Sequence, residues 1–270
     1  IIYLFSSNYL SSQEVYFQQS DSTIGIIDFN TCDTVHLVKA ASAYSSLAFH
    51  QSGRLFGSRK DTIFEISLET GISNLLITFP ESGNITFSCI SFIGNTLFTV
   101  SDNLFGKYNL ISGIREVINQ GYGEDSLFLL PSGMAVRNGN LICSSLIPGG
   151  IFQLDTTNIL NSIAILPHED FVPSHNGIVS MPISCDSSDT YINAPISSFE
   201  DVIYILDFEQ QEFTPICSLN FRCSSIWAYE ESLPPPCLPL IDLDGDNHTA
   251  VGLDYLADST CTAVDVPVID

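Results

Sequence analysis

Basic residues are scarce in this chain: Lys and Arg number 8 against 31 Asp and Glu, a formal charge of −23 at neutral pH. Phosphate backbones and anionic lipid surfaces repel such a chain, so nucleic acid is not an expected partner. No apolar run approaches the roughly 20 residues that a membrane-spanning helix needs. The opening I-I-Y-L-F has no basic flank, so it is neither a membrane helix nor an intact signal peptide, and the chain reads as mature or truncated. Helical periodicity is nearly absent. No G-x-S-x-G, H-E-x-x-H, Walker loop or dinucleotide fingerprint occurs, so no reaction is legible from a motif. None of the 8 cysteines forms a C-x-x-C pair, which favours disulfides over zinc.

What is present is a repeat. Thr62 to Gly71 reads T-I-F-E-I-S-L-E-T-G, and versions of it return as I-G-I-I-D-F-N from Ile24, F-G-K-Y-N-L-I-S-G from Phe105, I-F-Q-L-D-T-T from Ile151 and I-Y-I-L-D-F-E from Ile203. Counting from Ile24 to Ile63, Phe105, Ile151 and Ile203 gives steps of 39, 42, 46 and 52 residues, within the period range of four-stranded propeller blades. The runs are rich in Val, Ile, Phe, Tyr and Thr, which suit a pleated surface better than a helix. Each full unit reads as four strands, as in Ile24–Phe29, Thr34–Lys39, Ser45–His50 and Arg54–Arg59, with turn residues such as Gly53 and Asp61 between them. The third unit carries an extra S-L-F-L-L-P, and the fourth stretches its last hairpin through Ser184 to Thr190; both read as surface insertions.

The fifth unit supplies V-I-Y-I-L-D-F, F-T-P-I-C-S-L and S-S-I-W-A-Y-E and then meets L-P-P-P-C at Leu233–Cys237, whose prolines cannot continue a strand ladder. Its fourth strand is missing. Ser6–Thr23 aligns without a gap on Ser45–Thr62, so the chain begins in mid-repeat, and Val15–Ser20 matches the missing fourth-strand position. Closing the ring with that strand removes an open edge. The expectation is an all-β propeller of five four-stranded blades over residues 1–232, closed by an N-terminal strand, followed at 233–270 by a proline linker and a short acidic, β-rich tail. The repeats resemble those of secreted β-propellers with the L-Y-x-I-D-x-x-T-G signature, over about residues 6–232. The tail segment C-L-P-L-I-D-L-D-G-D-N-H-T, ahead of Tyr255, resembles the opening of cadherin-like modules in bacterial surface and adhesin proteins. A sandwich of that kind needs roughly 100 residues, so the tail is a partial module or one that donates a strand.

Several residues are candidates for chemistry. Asp242, Asp244 and Asp246, with Asp254, could converge on calcium, a hard cation that takes carboxylate and carbonyl oxygens. The spacing departs from an EF-hand loop, with Gly245 in fourth place and Asp254 in thirteenth, and a solvated acidic turn is the alternative. Asn84-Ile-Thr86 and Asn247-His-Thr249 match the N-glycosylation triplet, and each also suits a turn. Cys217 with Cys223 and Cys237 with Cys261 are close enough in sequence to close small loops, while Cys89 and Cys143 read equally as buried thiols and Cys32 and Cys185 stay unassigned. His168, Glu169, Asp170 and His175 form the most enzyme-like cluster, although a polar loop between blades gives the same letters. Trp227 reads as a core filler or as a sugar-stacking platform beside Tyr229.

The functional expectation is a secreted, non-catalytic structural or adhesive subunit of an extracellular surface structure. Ile1–Phe5 and Val264–Ile269, strands without partners at the two ends, would let it self-associate head-to-tail into a filament or join other surface proteins. The alternative is a carbohydrate-binding or carbohydrate-cleaving propeller, the latter needing paired carboxylates at one end of the ring.

Overall fold

A computed structural model describes residues 15–29, 31–80, 88–101, 104–120, 131–146, 149–167, 177–182, 188–195 and 200–228. Within these residues the chain forms β1 (Val15–Gln19), β2 (Thr23–Ile27), β3 (Thr34–Lys39), β4 (Ser46–Phe49), β5 (Leu55–Arg59), β6 (Thr62–Ile66), β7 (Ser73–Thr78), β8 (Ser88–Ile93), β9 (Thr96–Ser101) and β10 (Leu104–Asn109). It continues with β11 (Arg115–Gln120), β12 (Pro131–Arg137), β13 (Asn140–Leu146), β14 (Gly149–Gln153), β15 (Ile163–Pro167), β16 (Gly177–Pro182), β17 (Ser188–Pro195), β18 (Asp201–Asp207), β19 (Glu212–Leu219) and β20 (Cys223–Ala228). These strands make five four-stranded antiparallel sheets: β4-β5-β6-β7, β8-β9-β10-β11, β12-β13-β14-β15, β16-β17-β18-β19 and β20-β1-β2-β3. The innermost strand of each sheet packs on the next, β4 on β8, β8 on β12, β12 on β16, β16 on β20 and β20 on β4, which closes a ring of five blades.

The strand expected to complete the last blade does so: β1 lies between β20 and β2, with Val15 opposite Ala228 on one side and Ile27 on the other. The closure is deeper than one strand, because the C-terminal half supplies only the innermost strand of this blade and the N-terminal segment supplies the other three. The sequence unit is also offset from the blade. Ile24–Phe29 and Thr34–Lys39 form the outer half of the closure blade, whereas Ser45–His50 and Arg54–Arg59 form the inner half of the next one. A periodic sequence has no phase of its own. The link of residues 40–45 steps to the neighbouring blade instead of turning back, and nothing in its composition marks the step. Thr190, read as part of a surface insertion, is instead fully buried in β17.

The period-2 pattern explains the packing. Alternate residues of one strand point to opposite faces of the blade and so into different junctions. Leu47 and Phe49 join the apolar cluster shared with the closure blade, while Ala48 between them joins the cluster shared with β8–β11. Five such clusters fill the five junctions. The repeated residues that anchor the sequence period, Ile24, Ile63, Phe105, Ile151 and Ile203, are fully or almost fully buried, each in a different cluster, and each points toward the next blade. Directly after each of them the pairing with the outermost strand shifts register. The skipped residues are Leu37, Leu76, Ile118, Ile165 and Ile216, all large aliphatics. The repeat therefore encodes a buried plug followed by a β-bulge, which twists the outermost strand and blunts the edge it exposes.

Inner strands approach closely where side chains are small. A Cβ on Gly133 of β12 would lie 2.5 Å from the backbone N of Ile178 and 2.9 Å from the carbonyl C of Gly177, both on β16. Neither atom can rotate away, so Gly133→Ala is expected to cost about 1–3 kcal/mol through blade separation. Chemical denaturation of the variant checks this.

Candidate functional site: the ring closure and the two ends of the ring

Each innermost strand begins at the end of the ring where the chain links one blade to the next, and finishes at the opposite end, where hairpins join it to the second strand. In the closure blade that hairpin is replaced by the two ends of the described chain, since β20 finishes and β1 starts there.

The outer seam of the closure blade is covalent. A disulfide joins Cys32, in the turn between β2 and β3, to Cys217 on β19 of the preceding blade, with Cα atoms 5.4 Å apart and a sequence separation of 185. The expected Cys217–Cys223 bond is thus incorrect. Cys217 lies on the outermost strand of one blade, opposite Ile203, whereas Cys223 opens the innermost strand of the next. The few residues between them cross the width of a blade, so proximity in sequence becomes separation in space. Cys32 is positioned by a tight turn, in which its N–H donates to Asp28 O at 2.7 Å and its φ is 61°. Phe29 packs on Tyr191 of β17, with centroids 4.7 Å apart, and brings the same turn onto the preceding blade.

The same kind of contact recurs around the ring: the end of one outermost strand meets the turn before the outermost strand of the next blade. Ala41 N–H donates to Gly71 O at 3.1 Å. Arg115 stacks over Phe79 at 5.4 Å from the ring centroid. Ile159 N–H donates to Asn119 Oδ1 at 2.9 Å. The turn before β15 is shaped by Asp155, which accepts from Thr157 Oγ1 at 2.6 Å, Thr157 N at 2.8 Å and Asn158 N at 3.1 Å. Those bonds, the Thr157 hydroxyl first, hold its carboxyl down to about 2.

Toward the centre, buried polar groups fasten the closure blade on both sides. Gln18, fully buried on β1, donates through Nε2 to Tyr44 O at 2.9 Å and accepts from Tyr44 N at 3.2 Å. Asp201, fully buried at the start of β18, accepts from Cys223 N at 2.9 Å and faces Arg222 Nε at 2.8 Å. A buried carboxylate needs such partners, and removing one strands the other. Neither Asp201 nor Arg222 was singled out from the sequence. The available signal was scarcity, because Arg222 is the only Lys or Arg after Arg137.

At the hairpin end, His50 accepts from Ser52 N at 3.2 Å through Nδ1, which leaves Nε2 to donate to Asn95 Oδ1 at 3.1 Å across the junction of the first two blades. Arg54 pairs with both carboxylate oxygens of Glu65, at 2.7 and 2.6 Å. That fork lowers the Glu65 pKa and raises that of Arg54.

Cys89, Cys143 and Cys223 are buried free thiols. Burial pushes Cys143 up to about 12; it pushes Cys89 up as well, with the neighbouring Cys143 adding to the effect. At pH 8 a thiol with a pKa of about 12 is ionised to roughly one part in ten thousand. Iodoacetamide is therefore expected to leave Cys89 and Cys143 unmodified in the native protein and to label both in denaturant, a difference that peptide mass mapping reads directly.

The remaining sequence candidates, Asp242, Asp244, Asp246, Asp254, Asn84, Asn247, Cys185, Cys237, Cys261, His168, Glu169, Asp170 and His175, lie outside the described residues. Trp227 is placed in β20 opposite Tyr16, but its side chain is outside the description. Among the described residues no group of three or more His, Cys, Asp or Glu side chains converges as a metal site would require. No helix among them is long and apolar enough to cross a membrane.

The architecture defines the chain as a five-bladed β-propeller. No family model matches its sequence. No curated protein matches it either. Among solved structures it is similar to a protein of unknown function from Bacteroides thetaiotaomicron, at 14% identity and a TM-score of 0.49, over 76% of this chain and 55% of that one. It is also similar to a glutaminyl cyclase from Myxococcus xanthus, at 16% identity and a TM-score of 0.46, over 77% of this chain and 74% of that one. The chain thus spans about half of the first of these proteins.

Proposed function

We propose that the protein is a secreted, non-catalytic building block or adhesive module of an extracellular surface structure. The observation that carries this reading is the double closure of the ring, in which the β1–β20 ladder is backed by the Cys32–Cys217 disulfide. A structural disulfide across the seam suits an oxidising compartment, where such bonds persist. A ring sealed in this way also suits a part that must hold its shape outside the cell. Calcium at Asp242, Asp244, Asp246 and Asp254, glycans at Asn84 and Asn247 and a Cys237–Cys261 bond belong to this proposal.

Self-association through Ile1–Phe5 and Val264–Ile269 completes it. The segments that would carry it continue from the start of β1 and the finish of β20, which lie side by side at the hairpin end. The experiment is electron microscopy and sedimentation of the native 270-residue chain with and without calcium. Ordered oligomers or filaments are expected. A monomer at high concentration in both conditions, together with specific binding on a glycan array, would favour a carbohydrate-binding propeller instead.

A further inference from the structure

Ser52, His50 and Asn95 form a relay of side chains at the hairpin end that neither the ring closure nor the proposed surface role uses. Ser52 is exposed in the hairpin between β4 and β5, and its Oγ lies 2.7 Å from Nδ1 of the buried His50. The Ser52 N–H, which can only donate, also meets Nδ1, at 3.2 Å. That fixes the tautomer: Nδ1 carries the lone pair, so the Ser52 hydroxyl donates to it. The opposite nitrogen, Nε2, then donates to Asn95 Oδ1 at 3.1 Å, in the hairpin between β8 and β9 of the next blade.

The imidazole is held in this line. Phe92 of β8 meets its ring edge-on, with centroids 5.1 Å apart. The backbone of His50 is tied on both sides, its N–H donating to Arg54 O and its O accepting from Gly53 N–H, each at 2.9 Å. A cap on the hairpin needs only the Ser52 N–H; the aligned hydroxyl and the contact from a second blade go beyond that. A hydroxyl within about 2.6–3.2 Å of a base that a third group orients is the geometry of an activated nucleophile, on whatever fold it occurs.

We infer that Ser52 is a nucleophile that accepts one acyl group from a neutral ester, with His50 as its general base and Asn95 as the residue that positions the base. The bond from Ser52 Oγ to the carbonyl carbon forms as the bond from that carbon to the leaving oxygen breaks. The hydroxyl proton passes to His50 Nδ1 and from there to the departing alkoxide. A neutral ester fits because a chain of formal charge −23 repels anionic reagents. The inference stands apart from the proposed surface role, since a single acylation is stoichiometric and needs neither turnover nor assembly.

The test is incubation of the full chain, native and dilute, with p-nitrophenyl acetate, following nitrophenolate release and mapping acetylated peptides by mass spectrometry. One acetyl group on Ser52 is expected, at a rate that rises with pH to a plateau as the imidazole loses its proton. Ser52→Ala should abolish this acetylation and leave the ring folded. His50→Gln should slow it about a hundredfold, the low end for a positioned base. Asn95→Ala should slow it as well. Asn95→Asp, whose carboxylate stabilises the imidazolium, should react faster than the wild type, which a merely structural contact would not produce.

Acetylation spread over serines and lysines without preference for Ser52 overturns the inference. So does a rate that follows hydroxide without a plateau, or one equal in the wild type and a folded His50→Gln. If His50→Gln does not fold, the Asn95→Asp comparison and the wild-type pH profile decide: a plateau with a faster Asn95→Asp variant supports the relay, and the lack of either contradicts it.

Discussion

Deletion of residues 1–19 is expected to abolish the monomeric, cooperatively melting ring and to give aggregated or oligomeric protein. The segment contains β1, which is the only strand between β20 and β2. Without it β20 has no ladder partner and β2 shows a bare edge, which invites pairing with another chain. The loss in the core is as large. Val15 and Phe17 are fully buried in the junction with the fourth blade, and Tyr16, nearly so, packs into the junction with the first, edge-on to Phe49 at 4.6 Å. At about 1.5–3 kcal/mol for each buried side chain, these three contribute an amount comparable with the net stability of an ordinary domain. Gln18 adds its two hydrogen bonds to Tyr44, whose backbone groups would be left unpaired. Size-exclusion chromatography and thermal denaturation check the outcome. Phe17→Ala is the milder version, expected to lose about 3–5 kcal/mol while keeping the ring. A deletion variant that stays monomeric with unchanged melting would contradict the closure.

The second large effect is expected from Cys32→Ser. A bond closing a loop of 185 residues restricts the unfolded chain far more than one closing a loop of a few residues, so its loss should cost about 3–5 kcal/mol. The seam would still be held by the β1–β20 ladder, so the variant should fold but melt several degrees lower, and reductant should bring the wild type down by a similar amount. Cys223→Ser leaves the disulfide intact and exchanges one small buried group for another, so a smaller loss is expected. Equal melting of Cys32→Ser and the wild type under non-reducing conditions would show that the bond does not bear on stability.

The repeat made the fold legible because its anchors, Ile24, Ile63, Phe105, Ile151 and Ile203, do the same physical work five times, and a shared packing role leaves a shared letter pattern. The closing strand was legible for the same reason, as V-Y-F-Q-Q matched a position that the fifth unit lacked. Blade phase was not legible, because the step from β3 to β4 is a property of the link's path and not of its composition. The disulfide was missed because spacing in sequence says nothing about residues 32 and 217, which only ring closure brings together. Asp201 and Arg222, and likewise His50 and Asn95, are single contacts between neighbouring blades and leave no periodic trace. The acidic tail, where the candidate calcium ligands fall, has no repeat from which to read its partners.

Strands from both ends of the described chain build one blade, and a covalent bond seals it to its neighbour. Proteolytic digestion of the native protein under non-reducing conditions, after alkylation of free thiols in denaturant, tests it most directly. A cross-linked species joining the peptide with Cys32 to the peptide with Cys217 is expected, together with alkylated Cys223. A Cys217–Cys223 bond with alkylated Cys32 would contradict it.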